Sequence, residues 1–147
     1  MYTIGDLYNN DKIKGVVISV DSSNEHGLII SLYEAYLNWY EAEKWCQNFG
    51  DGWFMPSRNN LKAMENNVYL QAIQHTLLFH GIPLHFGSKS SPHFDHGHIY
   101  WTKDFYGHHD FCKHDWMHVF CLDSNGFSSY TSDSKDRKHY IRAVHKF

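Results

Sequence analysis

Trp45-Cys46-Gln47-Asn48-Phe49-Gly50-Asp51-Gly52-Trp53-Phe54-Met55-Pro56-Ser57 is a thirteen-residue run that holds five large apolar side chains and two glycines. The order of residue types predicts the end of one helix, a glycine turn, a short buried strand and the capped start of a second helix. Side chains of this size need apolar partners. We therefore expect two flanking helices and a later β-sheet to pack around residues 45–57.

The helix before this run is predicted to begin near Asn38, because Glu41 follows three residues later in a capping-box arrangement. Apolar residues then recur at helical spacing and give one buried stripe. The stripe consists of Trp39, Ala42, Trp45, Cys46 and Phe49. Gly50 suits the position just after the helix.

The helix after the run is predicted to start at Pro56 with Ser57 as its N-cap, and to stop at Gly81 and Pro83. Leu61, Met64 and Val68 line its predicted inner face. Two alternatives stay open for Leu70, Ile73, Leu77 and Leu78: they continue this face, or they form a second short helix. A β-hairpin is predicted over 14–21 and 27–32, and further strands over 99–102, 116–122, 127–130 and 139–144. With helices segregated from strands, the expected class is an α+β fold.

The composition predicts one domain spanning 1–147, since single cores typically run to roughly 100–200 residues. The formal net charge is −3 and the Lys and Arg residues are scattered, which argues against nucleic-acid binding. No signal peptide is recognisable, and no apolar run approaches the ~18–20 residues of a membrane span, so membrane insertion is not expected.

Four segments in order resemble the Lcl C-terminal-domain-like family, a family of unknown function with motifs of the form GWRLPT, YWSSTE, AW.V.F..G and YVRAV. The segments are Gly52-Trp53-Phe54-Met55-Pro56-Ser57 with Leu61, Tyr100-Trp101-Thr102-Lys103-Asp104, Asp115-Trp116-Met117-His118-Val119-Phe120 with Gly126, and Tyr140-Ile141-Arg142-Ala143-Val144. The resemblance implies a C-type-lectin-like fold, related to formylglycine-generating enzymes, with two helices on a twisted antiparallel sheet and long C-terminal loops. Phe54 departs from the family's usual arginine, and residues 105–115 match no part of the pattern.

The resemblance also implies a function, because this fold serves in bacterial adhesin tips and in variable proteins of diversity-generating retroelements. There, adenine-directed mutation yields His, Tyr, Asp, Phe, Ser, Cys, Gly and Asn but not Lys, Trp or Met. Residues 104–136 are rich in the first group. We expect an adhesin-like, non-catalytic module that binds a protein or glycan on another cell or particle. Its place would be the cell surface of a gut bacterium or a phage particle, if the chain belongs to an exported protein.

The predicted ligand contacts lie on the loops and strand face of residues 104–123, where aromatic and histidine side chains supply rigid amphipathic contacts. The predicted ligand-binding residues are Asp104, Phe105, Tyr106, His108, His109, Asp110, Phe111, His114, Asp115, His118, Phe120 and Asp123. On the strand 116–122, Trp116, His118 and Phe120 share one face and Met117 and Val119 the other. Which face points outward stays open.

Two other functions stay open. Eight of the thirteen histidines lie between His85 and His118, and three short groups have metal-ligand types: His96-Gly97-His98, His108-His109-Asp110 and Cys112-Lys113-His114. None has a recognised zinc spacing, so no metal or other cofactor is expected.

A cysteine-dependent enzyme would use Cys112 with His109 or His114, or Cys121. We expect no catalysis. Cys46, Trp101 and Trp116 are expected to lie in the core. Arg142 is expected to make a structural ion pair or hydrogen bond. Whether Cys112 and Cys121 form a disulfide is left open.

Overall fold

The computed structural model describes residues 1–85, 99–108, 115–122 and 128–147, of which 128–131 are described by their backbone alone. The described helices are α1 (Trp39–Asn48), a 3₁₀ helix (Asn59–Glu65) and α2 (Asn67–His80). The described strands are β1 (Leu7–Asn9), β2 (Lys14–Val20), β3 (Gly27–Ser31), β4 (Ala35–Leu37), β5 (Ile99–His108), β6 (Asp115–Leu122), β7 (Ser128–Ser134), β8 (His139–Ile141) and β9 (Val144–Lys146).

These strands form two sheets, one with the order β1-β2-β3-β9 and one with the order β4-β8-β5-β6-β7. Neighbouring strands are antiparallel except β5 and β8, which pair in parallel at Tyr100 and Tyr140. The α+β class and the predicted first hairpin are therefore confirmed. The helices follow one another in the chain between β4 and β5, after the first hairpin and before the later strands, so the predicted order of the elements is confirmed as well.

The predicted last strand is divided between the two sheets at Arg142 and Ala143. The buried Arg142 guanidinium pairs with Glu34 at 3.0 Å and donates to the carbonyls of Ser31, Leu32, Ile82 and Pro83. These bonds hold the sheet junction against the segment that follows α2. The prediction of a structural ion pair for Arg142 is confirmed.

The run 45–57 forms the centre expected of it. Trp53 and Met55 are buried, and the Phe54 backbone exchanges two hydrogen bonds with Val144 of β9, both at 2.9 Å. Gly52, not Gly50, takes the left-handed conformation, with φ at 81°. A Cβ atom at Gly52 would also meet His145 Nε2 at 2.5 Å, so this turn requires glycine on two counts.

The predicted second helix is interrupted, so the alternative of a separate helix over its later residues is the correct one, and the predicted inner positions of Val68 and Leu78 are wrong. Ser57 and Asn60 bond each other's backbone through their side chains, and a 3₁₀ helix follows in place of an α-helix. Asn66 then caps α2, with its Oδ1 accepting from the amide of Val68 at 2.9 Å. Because this break resets the helical register, Val68 and Leu78 face solvent, while Leu70, Ile73 and Leu77 are buried.

Two apolar clusters lie on opposite faces of β2, β5 and β6. One is packed by α2, the 3₁₀ helix, Tyr100 and Phe120; the other is packed by α1, with Trp101, Val119 and Cys46. The central parts of β5 and β6 are therefore buried on both faces. Only their far ends, toward His108 and Asp115, leave the core.

Candidate functional site

The outer half of β5 is bulged where it leaves the core. Trp101 pairs with Val119, but Phe105 pairs with Met117, so four steps along β5 match two along β6. A second irregularity follows before Gly107 pairs with Trp116. Bulges re-aim side chains, and here Phe105 and Tyr106 stand next to each other with 59% and 55% of their area exposed.

Backbone from the end of the 45–57 run anchors the first bulge. Lys103 donates its amide to the Pro56 carbonyl at 2.9 Å, and the amide of Arg58 donates to Asp104 Oδ2 at 2.6 Å. From below, the buried Thr102 hydroxyl donates to the His118 carbonyl at 2.8 Å. The exposed aromatic pair is thus carried by a backbone fixed at three points.

An open cleft of about 560 Å³ lies between this bulge and the 3₁₀ helix. Its lining residues are Ser57, Arg58, Asn59, Lys62, Glu65, Asp104, Phe105 and His118. Arg58 Nη1 lies 3.4 Å from His118 Nδ1, and the ring of Tyr106 meets that of His118 edge-on at 5.1 Å. Cations, carboxylates and an aromatic ring therefore face one opening.

Charged and polar side chains hold the far ends of β5 and β6 together. His108 Nδ1 lies 2.9 Å from Asp115 Oδ1, and Lys135 Nζ lies 3.7 Å from the other carboxylate oxygen. The hydrogen bond from His108, with help from Lys135, holds the pKa of Asp115 below its ordinary value against a smaller desolvation effect. Lys135 also lies over the rings of Trp39, at 4.2 Å, and Tyr40, at 5.1 Å.

We call the exposed part of this region the β5–β6 surface. It consists of Asp104, Phe105, Tyr106, His108, Asp115 and His118, all of which were predicted as ligand contacts. Phe120 was predicted with them, but it is 1% exposed because β6 is covered on both faces at that point, so this prediction is wrong. Trp101 is buried as predicted, and Trp116 is half-buried.

The remaining predicted contacts, His109, Asp110, Phe111, His114 and Asp123, lie outside the described residues. Sequence reasoning missed Arg58 and Lys62 as lining residues of the cleft. A signal for them was present, since both follow Pro56-Ser57 in a polar stretch that the helix-face pattern leaves unexplained.

The described part of the chain gives no support to the two alternatives, a metal site and a cysteine-dependent enzyme. There, no three His, Cys, Asp or Glu side chains gather in a way that could hold a metal ion. His96, His98, His109, Asp110, Cys112 and His114 lie outside that part. Cys46 is buried as predicted, and burial raises the pKa of its thiol to about 12, so it is not a nucleophile at neutral pH.

Comparison with known proteins shows what the fold is similar to. No family model matches the chain, and no curated protein matches its sequence. Its structure is similar to that of EMS16, a C-type-lectin-like protein described as an antagonist of the collagen receptor integrin α2β1, over 95% of each chain with a TM-score of 0.50. The fold is C-type-lectin-like.

The sequence identity to EMS16 is 10%, so the likeness concerns the fold alone. It confirms the predicted C-type-lectin-like fold, although the structure has two mainly antiparallel sheets where a single sheet was predicted, and a 3₁₀ helix in addition to the two α-helices. The resemblance to the Lcl C-terminal-domain-like family stays a prediction. Among the described helices, none is long and apolar enough to cross a membrane.

Proposed function

We propose that this chain is a non-catalytic recognition module that binds its ligand through the β5–β6 surface and the adjoining cleft. The observation that carries the proposal is the pair Phe105 and Tyr106, each more than half exposed on a bulge that is anchored by Pro56 and Arg58. Ordering a loop and its side chains on binding normally reduces the affinity of a contact. Here the backbone is already fixed, and each aromatic side chain has only two χ angles to order, so the loss of affinity is small, as in paratopes built on rigid aromatic anchors.

The surroundings of the aromatic pair favour a polar ligand such as a folded protein or a glycan. Arg58 and Lys62 offer donors, and Asp104 and Glu65 offer acceptors, around one opening. Mixed polar groups around an aromatic centre are typical of protein interfaces. The description of EMS16 as a receptor antagonist supports a protein ligand on another cell or particle.

We further propose that this surface is diversified by a retroelement. The surface residues Phe105, Tyr106 and His108, which are exposed, and Asp115 and His118, which are half-buried, are all of types that adenine-directed mutation produces. Lys103 and Met117, which are not of those types, hold the anchored bulge and the core. This proposal predicts a near-identical DNA repeat, differing at adenines of the template, and a reverse-transcriptase gene nearby. Finding neither would remove diversification and leave the recognition role standing.

The recognition role is tested with the paired substitution Phe105→Ala and Tyr106→Ala. The wild-type domain would be screened on immobilised glycans and cell-surface ectodomains, and any ligand found would be titrated against each variant. We expect the paired variant to bind at least about tenfold more weakly, as for an interface hot spot. Tyr33→Ala is the matched control, since Tyr33 is 56% exposed and lies away from this surface. Equal affinity for the paired variant and the control would contradict the proposal.

A further inference from the structure

Helix α2 is unusual because none of its residues, Asn67–His80, is Asp, Glu, Lys or Arg. A surface helix normally keeps its charged residues on the face away from the core. Helix α1 does so, with Glu41 and Lys44 exposed. The outer face of α2 instead carries large apolar side chains: Val68 is 74%, Leu78 62% and Phe79 69% exposed.

The other faces of α2 are already occupied. Leu70, Ile73 and Leu77 pack in the core. On one flank, Thr76 donates to the Gly5 carbonyl and Ala72 lies close against Gly5. On the opposite flank, the Gln74 side chain bonds the backbone of Leu84 in both directions, at 3.0 and 2.8 Å. The outer face is the part of α2 for which the described contacts give no apolar partner.

The exposed residues on this face follow the helix period as far as Phe79, and Ile82 lies just beyond the end of the helix at Gly81. We call this set the outer α2 stripe: Val68, Gln71, His75, Leu78, Phe79 and Ile82. The ring of His75, at the middle, contacts that of Phe79 edge-on at 5.0 Å. Ile82 is 38% exposed, and its amide is fixed by the Leu32 carbonyl at 2.8 Å.

We propose that the outer α2 stripe is the contact by which two copies of this chain form a reversible, two-fold symmetric dimer. At roughly 150–200 Å² for a large apolar side chain, the four exposed apolar members present about 400–500 Å² per copy. Two copies bury about 800–1,000 Å² from these residues, and their polar neighbours add to this, which reaches the lower range of specific interfaces. An interface of this size dissociates on dilution.

Charge and symmetry favour a second copy over other occupants. The chain carries a formal net charge of −3, and a contact between two copies through α2, which has no Asp, Glu, Lys or Arg, brings no like charges together at the interface. Helices that lie in the membrane interface are typically rich in Lys and Arg, which α2 lacks. We place the two-fold axis of an antiparallel pairing near His75, at the middle of the stripe, so that the two His75 residues lie opposite each other.

The first test is sedimentation equilibrium of the wild-type chain over a wide concentration range. We expect a monomer–dimer equilibrium whose midpoint moves to at least about tenfold higher concentration in Phe79→Glu, because that change places a carboxylate in the apolar contact. Phe105→Glu is the matched control: an equally exposed phenylalanine on the β5–β6 surface receives the same charge. Circular dichroism would verify that both variants fold, as expected for exposed positions.

A wild-type chain that stays monomeric at all concentrations overturns the proposal, and so does a dimer that Phe105→Glu dissociates and Phe79→Glu does not. The two-fold geometry is tested separately with His75→Cys. Thiols at a two-fold axis come within disulfide reach, so mild oxidation should link two copies faster than it links Tyr40→Cys. Equal rates for the two variants would exclude the antiparallel arrangement.

Discussion

Removing the Glu34 carboxylate should destabilise the fold strongly, because it leaves the Arg142 guanidinium charged and buried. The two side chains are 4% and 1% exposed and lie 3.0 Å apart. Glu34 also accepts from the Tyr100 hydroxyl at 2.8 Å. Removing one partner of a buried ion pair typically costs about 3–5 kcal/mol, so we expect a loss in this range for Glu34→Ala.

Replacing Arg142 by Met should cost at least as much, for a reason specific to this site. Arg142 donates to the four carbonyls of Ser31, Leu32, Ile82 and Pro83 as well as to Glu34. Each buried carbonyl left without a donor costs about 1–3 kcal/mol.

Many buried ion pairs can be replaced by apolar residues without loss. Here, the combined variant Glu34→Ala with Arg142→Met should stay about 1–3 kcal/mol below the wild type, because the buried Ser31 carbonyl loses the Arg142 donor, whereas the Leu32 carbonyl keeps the Ile82 amide.

Urea unfolding followed by tryptophan fluorescence measures these differences, with the slope of the transition checked for two-state behaviour. Glu25→Ala is the control, because Glu25 pairs with the N-terminal amine at 3.5 Å on the surface. Exposed pairs contribute about 0–1 kcal/mol. The reasoning is refuted if Glu34→Ala is no less stable than Glu25→Ala, or if the combined variant recovers wild-type stability.

Three further predictions concern the site and its scaffold. Thr102→Val, which removes a buried hydroxyl from the His118 carbonyl, should lower the free energy of unfolding in urea by about 1–3 kcal/mol. Cys46 should resist alkylation in the native chain and react after unfolding, as checked by peptide mass spectrometry, because burial raises its pKa to about 12. The lowered pKa of Asp115 means that its contact with His108 persists above about pH 4 and is lost as pH falls through that lowered pKa; an NMR titration should show a midpoint below about 3.9 that rises in His108→Ala.

The sequence predicts best what short-range interactions determine. The capping box of α1 forms as expected, with the Asn38 side chain accepting from the Glu41 amide at 2.9 Å and Glu41 accepting from the Asn38 amide. The first hairpin also forms as expected, because its two strands are close in sequence and rich in β-branched residues. Both need only neighbours within a few residues or across one turn.

What the sequence left undetermined depends on tertiary contacts. Strand alternation predicts one outward face for β6, but an apolar cluster covers each face, and the cluster packed by α2 and the 3₁₀ helix buries Phe120. The start of α2 was misplaced because Asn66 competes successfully with Ser57 as the cap. No local pattern reports the bulge of β5, since its anchor at Arg58 is 46 residues from Asp104.

The run that organises the core also sets the position of the proposed binding surface. Trp53 and Met55 are buried, and just beyond them in the chain the Pro56 carbonyl and the Arg58 amide hold the β5 bulge, through the Lys103 amide and the Asp104 carboxylate. A side chain at position 105 can therefore change without loss of a bond that the anchor provides. A surface held by backbone from its scaffold tolerates substitution of its exposed side chains, which is the property that a diversified recognition module requires.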